Sequence, residues 1–142
     1  MTAIEHNHDT LLIPPELEDP DGRPVDHELL GRLLGACFDT CTACADPLMD
    51  RCVADVATCA RLVELACLSV AEVIGGVPAI LTNKDAPGPA SPEFRELADA
   101  GAEGNNKAMW QLCGQMIPEQ RRAALDTALN LLTASIRLAS EG

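Results

Sequence analysis

The sequence between Ala36 and Leu68 reads ACFDTCTACADPLMDRCVADVATCARLVELACL and holds six of the chain's seven cysteines. They are Cys37, Cys41, Cys44, Cys52, Cys59 and Cys67, separated by 4, 3, 8, 7 and 8 residues. At about 100° per residue, the first three thiols fall on one face of a helix. The next two share a second face, and Cys67 lies about 60–80° from them by the same geometry. The stretch therefore predicts helices that carry columns of thiols.

The composition favours a single all-α domain. The chain has 142 residues, of which 47% are hydrophobic and only 2% are aromatic. A core without rings must be filled by aliphatic residues, methionine and cysteine, which favours close helix packing over a β-sandwich. The net charge of −12 argues against nucleic acid and anionic membranes as partners, because both require a basic surface. Metal ions are compatible with that charge.

The sequence predicts a cytoplasmic protein. Its first twenty residues lack a basic segment followed by an apolar run, and no stretch of about 18 apolar residues is free of charge. In a reducing cytosol, cysteines are expected as free thiols or metal ligands and not as disulfides.

Proline, glycine and capping residues divide the chain into an arm and four helices. Asp26 is a predicted N-cap, Asp46-Pro47 and Ser91-Pro92 are boundary signals, and Gly75-Gly76 ends a helix. The predicted elements are a flexible arm over residues 1–25, helix one over 26–44, helix two over 47–74, a long connection over 77–91, helix three over 92–116 with a weak middle over 101–106, and helix four over 118–139. Residues 26–142 are therefore expected to form one four-helix bundle with one long connection.

Catalytic patterns are absent from the sequence. The folded region contains one histidine, His27, and no Glu-x-x-His, phosphate-binding loop or Ser/His/Asp arrangement. Its acidic residues, among them Asp39, Asp50, Glu64 and Asp99, are predicted to form a solvated face. We therefore assign no catalytic residue and expect a non-enzymatic role.

The thiols have two competing interpretations. Free cysteine is a small, soft core residue, so these positions could serve packing alone in a metal-free helical interaction or accessory protein. Alternatively, thiolates select soft metals, and Cys-x-x-x-Cys on a helix places two sulfurs on adjacent turns, close enough to hold one two-coordinate Cu(I). Zn(II) is the second choice, because it usually takes four ligands and His27 is badly placed to join Cys41 and Cys44.

The run Cys-x3-Cys-x2-Cys-Ala-Asp, followed by further cysteines at helical intervals, resembles the cysteine-rich four-helix-bundle copper storage proteins of bacteria. The matching residues are Cys37, Cys41, Cys44-Ala45-Asp46, Cys52 and Cys59-Ala60-Arg61-Leu62. The resemblance covers residues 30–74, about a third of the chain. It implies thiols that line the inside of a bundle and bind Cu(I), and it implies assembly as homo-oligomers.

By this resemblance the implied metal ligands are Cys37, Cys41, Cys44, Cys52, Cys59 and Cys67, with Cys113 as a further candidate. Members of the family carry cysteines on all four helices, whereas here helix three has only Cys113 and helix four has none. We therefore expect a small copper site for buffering, storage or delivery, and not a high-capacity store.

A third interpretation is a zinc or redox regulator similar to the zinc-binding anti-sigma factors. Those short helical proteins carry His-x3-Cys-x2-Cys, and Cys37 would replace the histidine. This interpretation predicts an exposed apolar groove and stoichiometric zinc.

Overall fold

The protein is all-helical over the residues that the computed structural model describes, which are 24–83, 85–86, 88, 90–102 and 106–141. Within them lie seven helices: α1 (His27–Phe38), α2 (Thr42–Ala54), α3 (Val56–Ile74), α4 (Ala79–Thr82), α5 (Pro92–Ala102), α6 (Asn106–Gln115) and α7 (Pro118–Glu141). The predicted all-α class is confirmed. Nearly all of the predicted arm, residues 1–23, lies outside the described residues.

The first helix of the structure, α1, is shorter than the helix predicted over 26–44. Asp26 caps α1 as predicted, with its Oδ1 accepting a hydrogen bond from the Leu29 amide at 3.0 Å. The helix ends at Phe38, however, because Thr40 takes a left-handed conformation with φ +55. Cys41 then caps α2, and Pro47 lies inside that helix instead of starting it. The boundary predicted at Asp46-Pro47 is therefore wrong.

The predicted helix two is divided at Asp55. This residue has an extended backbone, with φ −110 and ψ 97, and it ends α2 and caps α3. Its Oδ1 accepts a hydrogen bond from the Thr58 amide at 3.2 Å, which supplies an acceptor for one of the free amides of the new helix. Helix three is also two helices, α5 and α6, on either side of the segment whose weakness the sequence indicated.

The bundle is organised around α3. This helix contacts α1, α2, α5, α6 and α7, and all ten residues of its section 57–66 are buried. Hydrogen bonds join neighbouring helices: the Asp26 amide donates to Thr58 Oγ1 of α3 at 2.9 Å, and the Ser91 amide donates to Thr127 Oγ1 of α7 at 3.0 Å. The largest fully buried apolar side chains are Phe94, Leu30, Leu33, Leu62, Leu97, Met109 and Leu125.

Two charged residues lie in this central section, contrary to the sequence prediction. Glu64 was predicted to lie on a solvated face, yet Glu64 and Arg61 are each only 3% exposed. Arg61 Nη1 lies 3.0 Å from Glu64 Oε2, one helical turn further along α3. The reason is that neighbouring helices surround α3, so it has no solvent face at this level.

None of the helices among the described residues combines the length and the apolar character that a membrane-spanning segment requires.

The end of α3 offers a direct test of backbone conformation. Gly75 has φ +83 and donates its amide to the Ala71 carbonyl at 2.8 Å, and an added Cβ would meet no atom within 4 Å. We expect Gly75→Ala to lower the free energy of unfolding by about 1 kcal/mol through left-handed strain alone. Gly76 also has open space but no positive φ. Gly76→Ala is therefore the matched control, and equal effects in urea unfolding would contradict this account.

Candidate functional site

All seven cysteines fall within the described residues, and all are free thiols. Cys52, Cys59 and Cys113 are buried, and the other four are partly buried. Cys37 lies near the end of α1, Cys41 caps α2, Cys44 and Cys52 lie in α2, Cys59 and Cys67 in α3, and Cys113 in α6. The seven thiols therefore come from four helices and not from the three that the sequence predicted.

A direct contact between two buried thiols joins Cys59 and Cys113. Their Sγ atoms are 3.4 Å apart, and neither residue has any exposed surface. This distance fits a hydrogen bond between thiols and is far longer than the roughly 2.05 Å of a disulfide. We call these two residues the thiol pair. It forms where α6 packs on α3, in the buried centre of the bundle.

The electrostatics of the thiol pair move the pKa values of its two thiols in opposite directions. The pKa of Cys113 is lowered by its hydrogen bond with Cys59, and the Arg121 guanidinium adds to this effect. The pKa of Cys59 is raised by the same hydrogen bond and by burial. Cys113 is therefore the first of the two to lose its proton.

Arg121 is held firmly beside the thiol pair. From α7 its Nε donates to the Val53 carbonyl at 2.8 Å, and its Nη1 donates to the Met116 carbonyl at 2.6 Å. These bonds connect α7 to the ends of α2 and α6. The cation is thus positioned by the backbone, and its charge also opposes the rise in the pKa of Cys59.

Two further thiols extend the thiol pair toward α1. Burial raises the pKa of Cys52 to about 12, and negative charge on Asp55, Asp26 and Cys37 adds to the rise. Charge on Cys52 in turn raises the pKa of Cys59. Charge on Cys37 thus acts on Cys52, and charge on Cys52 acts on Cys59; we call Cys37, Cys52, Cys59 and Cys113 the thiol series.

The predicted column of Cys37, Cys41 and Cys44 is not on one helix, because the chain turns at Thr40. Cys41 and Cys44 remain together at the start of α2, where their hydrogen bond raises the pKa of Cys44. Burial and the charge of Asp126 raise the pKa of Cys37. A cavity of about 280 Å³ between this turn and α7 is lined by Cys37, Cys41 and other residues.

Cys67 belongs to a different part of α3. Burial, followed by the charge of Glu64, raises its pKa to about 12. It lines a cavity of about 170 Å³ together with Leu68, Met109 and others. No sulfur is among the causes of its shift, so it does not join the series.

Within the described part of the chain, no three His, Cys, Asp or Glu side chains converge in an arrangement that could hold a metal ion. Any metal coordination among these residues would therefore rest on pairs. The partnership of Cys113 with Cys59 is the feature that sequence reasoning missed. The available signal was that Cys113 shares an apolar stripe with Met109 and Met116, both of which are buried.

No protein-family model, curated protein or solved structure matches this chain.

Proposed function

We propose that the protein binds Cu(I) through buried cysteine thiolates, for buffering, storage or delivery. The observation that carries the proposal is the 3.4 Å distance between the sulfurs of Cys59 and Cys113, both of which are fully buried. Two metal–sulfur bonds of about 2.3 Å allow sulfurs on one ion to be separated by up to about 4.6 Å. A linear two-coordinate site therefore requires the two sulfurs to move apart by about 1 Å.

Charge supports a monovalent ion at this pair. Two thiolates and one Cu(I) carry a net charge of −1, and the adjacent Arg121 cation compensates it. A buried charge is tolerated when it is paired in this way. Thiolates also select soft cations such as Cu(I), whereas Zn(II) generally requires four ligands. Cys52 is a further candidate ligand, because its charge acts on Cys59, and Cys37, Cys41 and Cys44 are candidates for additional ions.

The second candidate is a metal-free helical interaction or accessory protein. It is favoured by the pKa of about 12 at both Cys52 and Cys67, since thiols that stay protonated at neutral pH act as apolar packing groups. Under either function we propose a cytoplasmic location, on account of seven free thiols, and self-association into a homo-oligomer.

The test is anaerobic titration of the reduced protein with Cu(I) against a competing chelator. We expect wild-type protein to withdraw at least one Cu(I) per chain from the chelator. Cys59→Ser combined with Cys113→Ser should weaken the tightest site by at least about a hundredfold, because hydroxyls are poor ligands for soft ions. Cys67→Ala is the matched control and should leave the affinity unchanged.

Three outcomes of the titration would argue against the proposal. Failure of wild-type protein to compete for Cu(I) would favour the metal-free alternative. Full uptake by the double variant, with loss only in Cys37→Ser/Cys41→Ser, would move the site to the turn between α1 and α2. Tighter binding of Zn(II) than Cu(I) would favour a zinc regulator. Circular dichroism of each variant establishes that it is folded.

A further inference from the structure

A second site of interest lies between α4, α5 and α7, around a buried arginine. Arg95 in α5 is only 3% exposed. Its Nη1 donates to the Ala86 carbonyl, and its Nη2 donates to the Gly88 carbonyl at 3.2 Å. Its Nε is buried and has no acceptor. Across the described ranges, no carboxylate comes within ion-pair distance of this guanidinium.

A buried cation without a counter-charge is unusual in an acidic protein. The chain carries a net charge of −12, and its other buried arginine, Arg61, has a carboxylate partner. A guanidinium has five N–H donors and binds a carboxylate with two of them at once. Two backbone carbonyls satisfy part of this capacity but supply no negative charge. Because an uncompensated charge in the interior is costly, this environment favours an anion brought from outside.

Arg95 lines a cavity of about 280 Å³ between α4, α5 and α7. The walls are mostly apolar and include Ile80, Leu81 and Leu131. Thr127 and Asn130 add polar groups from α7. None of the seven cysteines lines this cavity, so it is separate from the thiol series.

We propose that this cavity binds a small monocarboxylic acid with an apolar body. The carboxylate pairs with the Arg95 guanidinium, and the apolar body packs among Ile80, Leu81 and Leu131. A cavity of about 150 Å³ lined by apolar side chains is known to hold benzene, so about 280 Å³ has room for a ring or branched chain together with its carboxylate. This volume is too small for a long-chain fatty acid.

The backbone conformation at Gly88 and hydrogen bonds at the start of α5 hold the residues of this cavity in place. Gly88 has φ +126, a conformation that favours glycine, and a Cβ there would lie 3.4 Å from Arg95 Nη2 and 3.5 Å from Ile80 Cδ1. Ser91 and Thr127 hydrogen-bond to each other and hold the start of α5 against α7. The loop carbonyls, the arginine and the apolar wall are thus fixed relative to one another before any ligand arrives.

The test uses sodium benzoate as the probe and benzamide, its uncharged isostere, as the control ligand. Isothermal titration calorimetry on the full chain should give saturable 1:1 binding of benzoate. Benzoate should bind roughly ten- to a hundredfold more tightly than benzamide, since a charge-assisted hydrogen bond is lost in the amide. Equal binding of the two, or no binding of benzoate, would overturn the proposal.

Two variants distinguish the contribution of the Arg95 cation from that of the apolar wall of the cavity. Arg95→Gln should reduce benzoate affinity at least about tenfold, whereas Arg122→Gln, at an exposed arginine of α7, should not. Because Arg95 also holds the backbone at Ala86 and Gly88, Arg95→Gln could fail to fold. Leu131→Trp therefore fills the cavity while retaining the arginine, and it should abolish binding. Benzoate binding that survives Leu131→Trp would contradict this location.

Discussion

Glu64→Leu is expected to destabilise the protein by about 3–5 kcal/mol, because it leaves the Arg61 guanidinium buried without its carboxylate. Both residues lie in the section of α3 where every position is buried, and each is 3% exposed. Their contact of 3.0 Å is therefore shielded from solvent. Urea unfolding, followed by circular dichroism at neutral pH, measures the loss.

The double variant Arg61→Leu/Glu64→Leu distinguishes the charge from the packing. Replacing a buried ion pair by apolar residues of similar size is often close to neutral, so the double variant should be more stable than Glu64→Leu alone. Asp50→Ala is the surface comparison, since Asp50 pairs with Arg122 in an exposed position and should cost little. If Glu64→Leu unfolded like Asp50→Ala, the pair would not be buried in solution.

The sequence predicted those parts of the fold that depend on local chemistry. Pro92 and Pro118 begin α5 and α7 as expected, and Leu29, Leu30, Leu33 and Leu34 are buried on the predicted face of α1. The two missed breaks have a common cause. At Thr40 and Asp55 the apolar stripe continues into the next helix, because both helices pack on the same core, so periodicity gives no sign of the interruption.

The remaining differences depend on how the helices pack. Arg61 and Glu64 have the charge pattern of an exposed face, and only the number of helices around α3 makes them buried. Cys59 and Cys113 are 54 residues apart, so their contact depends on how α6 docks on α3. The cysteine spacing within 36–68 predicted Cys37, Cys41 and Cys44 on one face of a single helix. The turn at Thr40 instead distributes them over two helices.

Alkaline pH is expected to unfold the metal-free protein between about pH 9 and about pH 12, through Cys52 and Cys67. The pKa of each is raised from 9.0 to about 12, mainly by burial. Below pH 9.0 both folded and unfolded states keep these protons, so their contribution is fully present. Above it the unfolded state loses them first, and stability falls by about 1.4 kcal/mol per pH unit for each thiol. At about pH 10.5 the combined loss is on the order of 4 kcal/mol.

The absence of tyrosine makes this titration readable, because thiolate absorbance is not obscured by tyrosinate. Cys52→Ala and Cys67→Ala should each remove about half of the slope of unfolding free energy against pH attributed to these two thiols. The slope is the measurement of interest, since Cys52→Ala also leaves a small cavity that lowers stability equally at every pH. The thiol pair is present in all these proteins, so its own titration cancels in the comparison with Cys67→Ala, whereas Cys52→Ala also removes a charge that raises the pKa of Cys59. Two results would contradict this account: a wild-type stability that stays constant from about pH 8 to about pH 10.5, or a slope that the double alanine variant retains. Either result would mean that these thiols ionise as easily in the folded protein as in the unfolded chain.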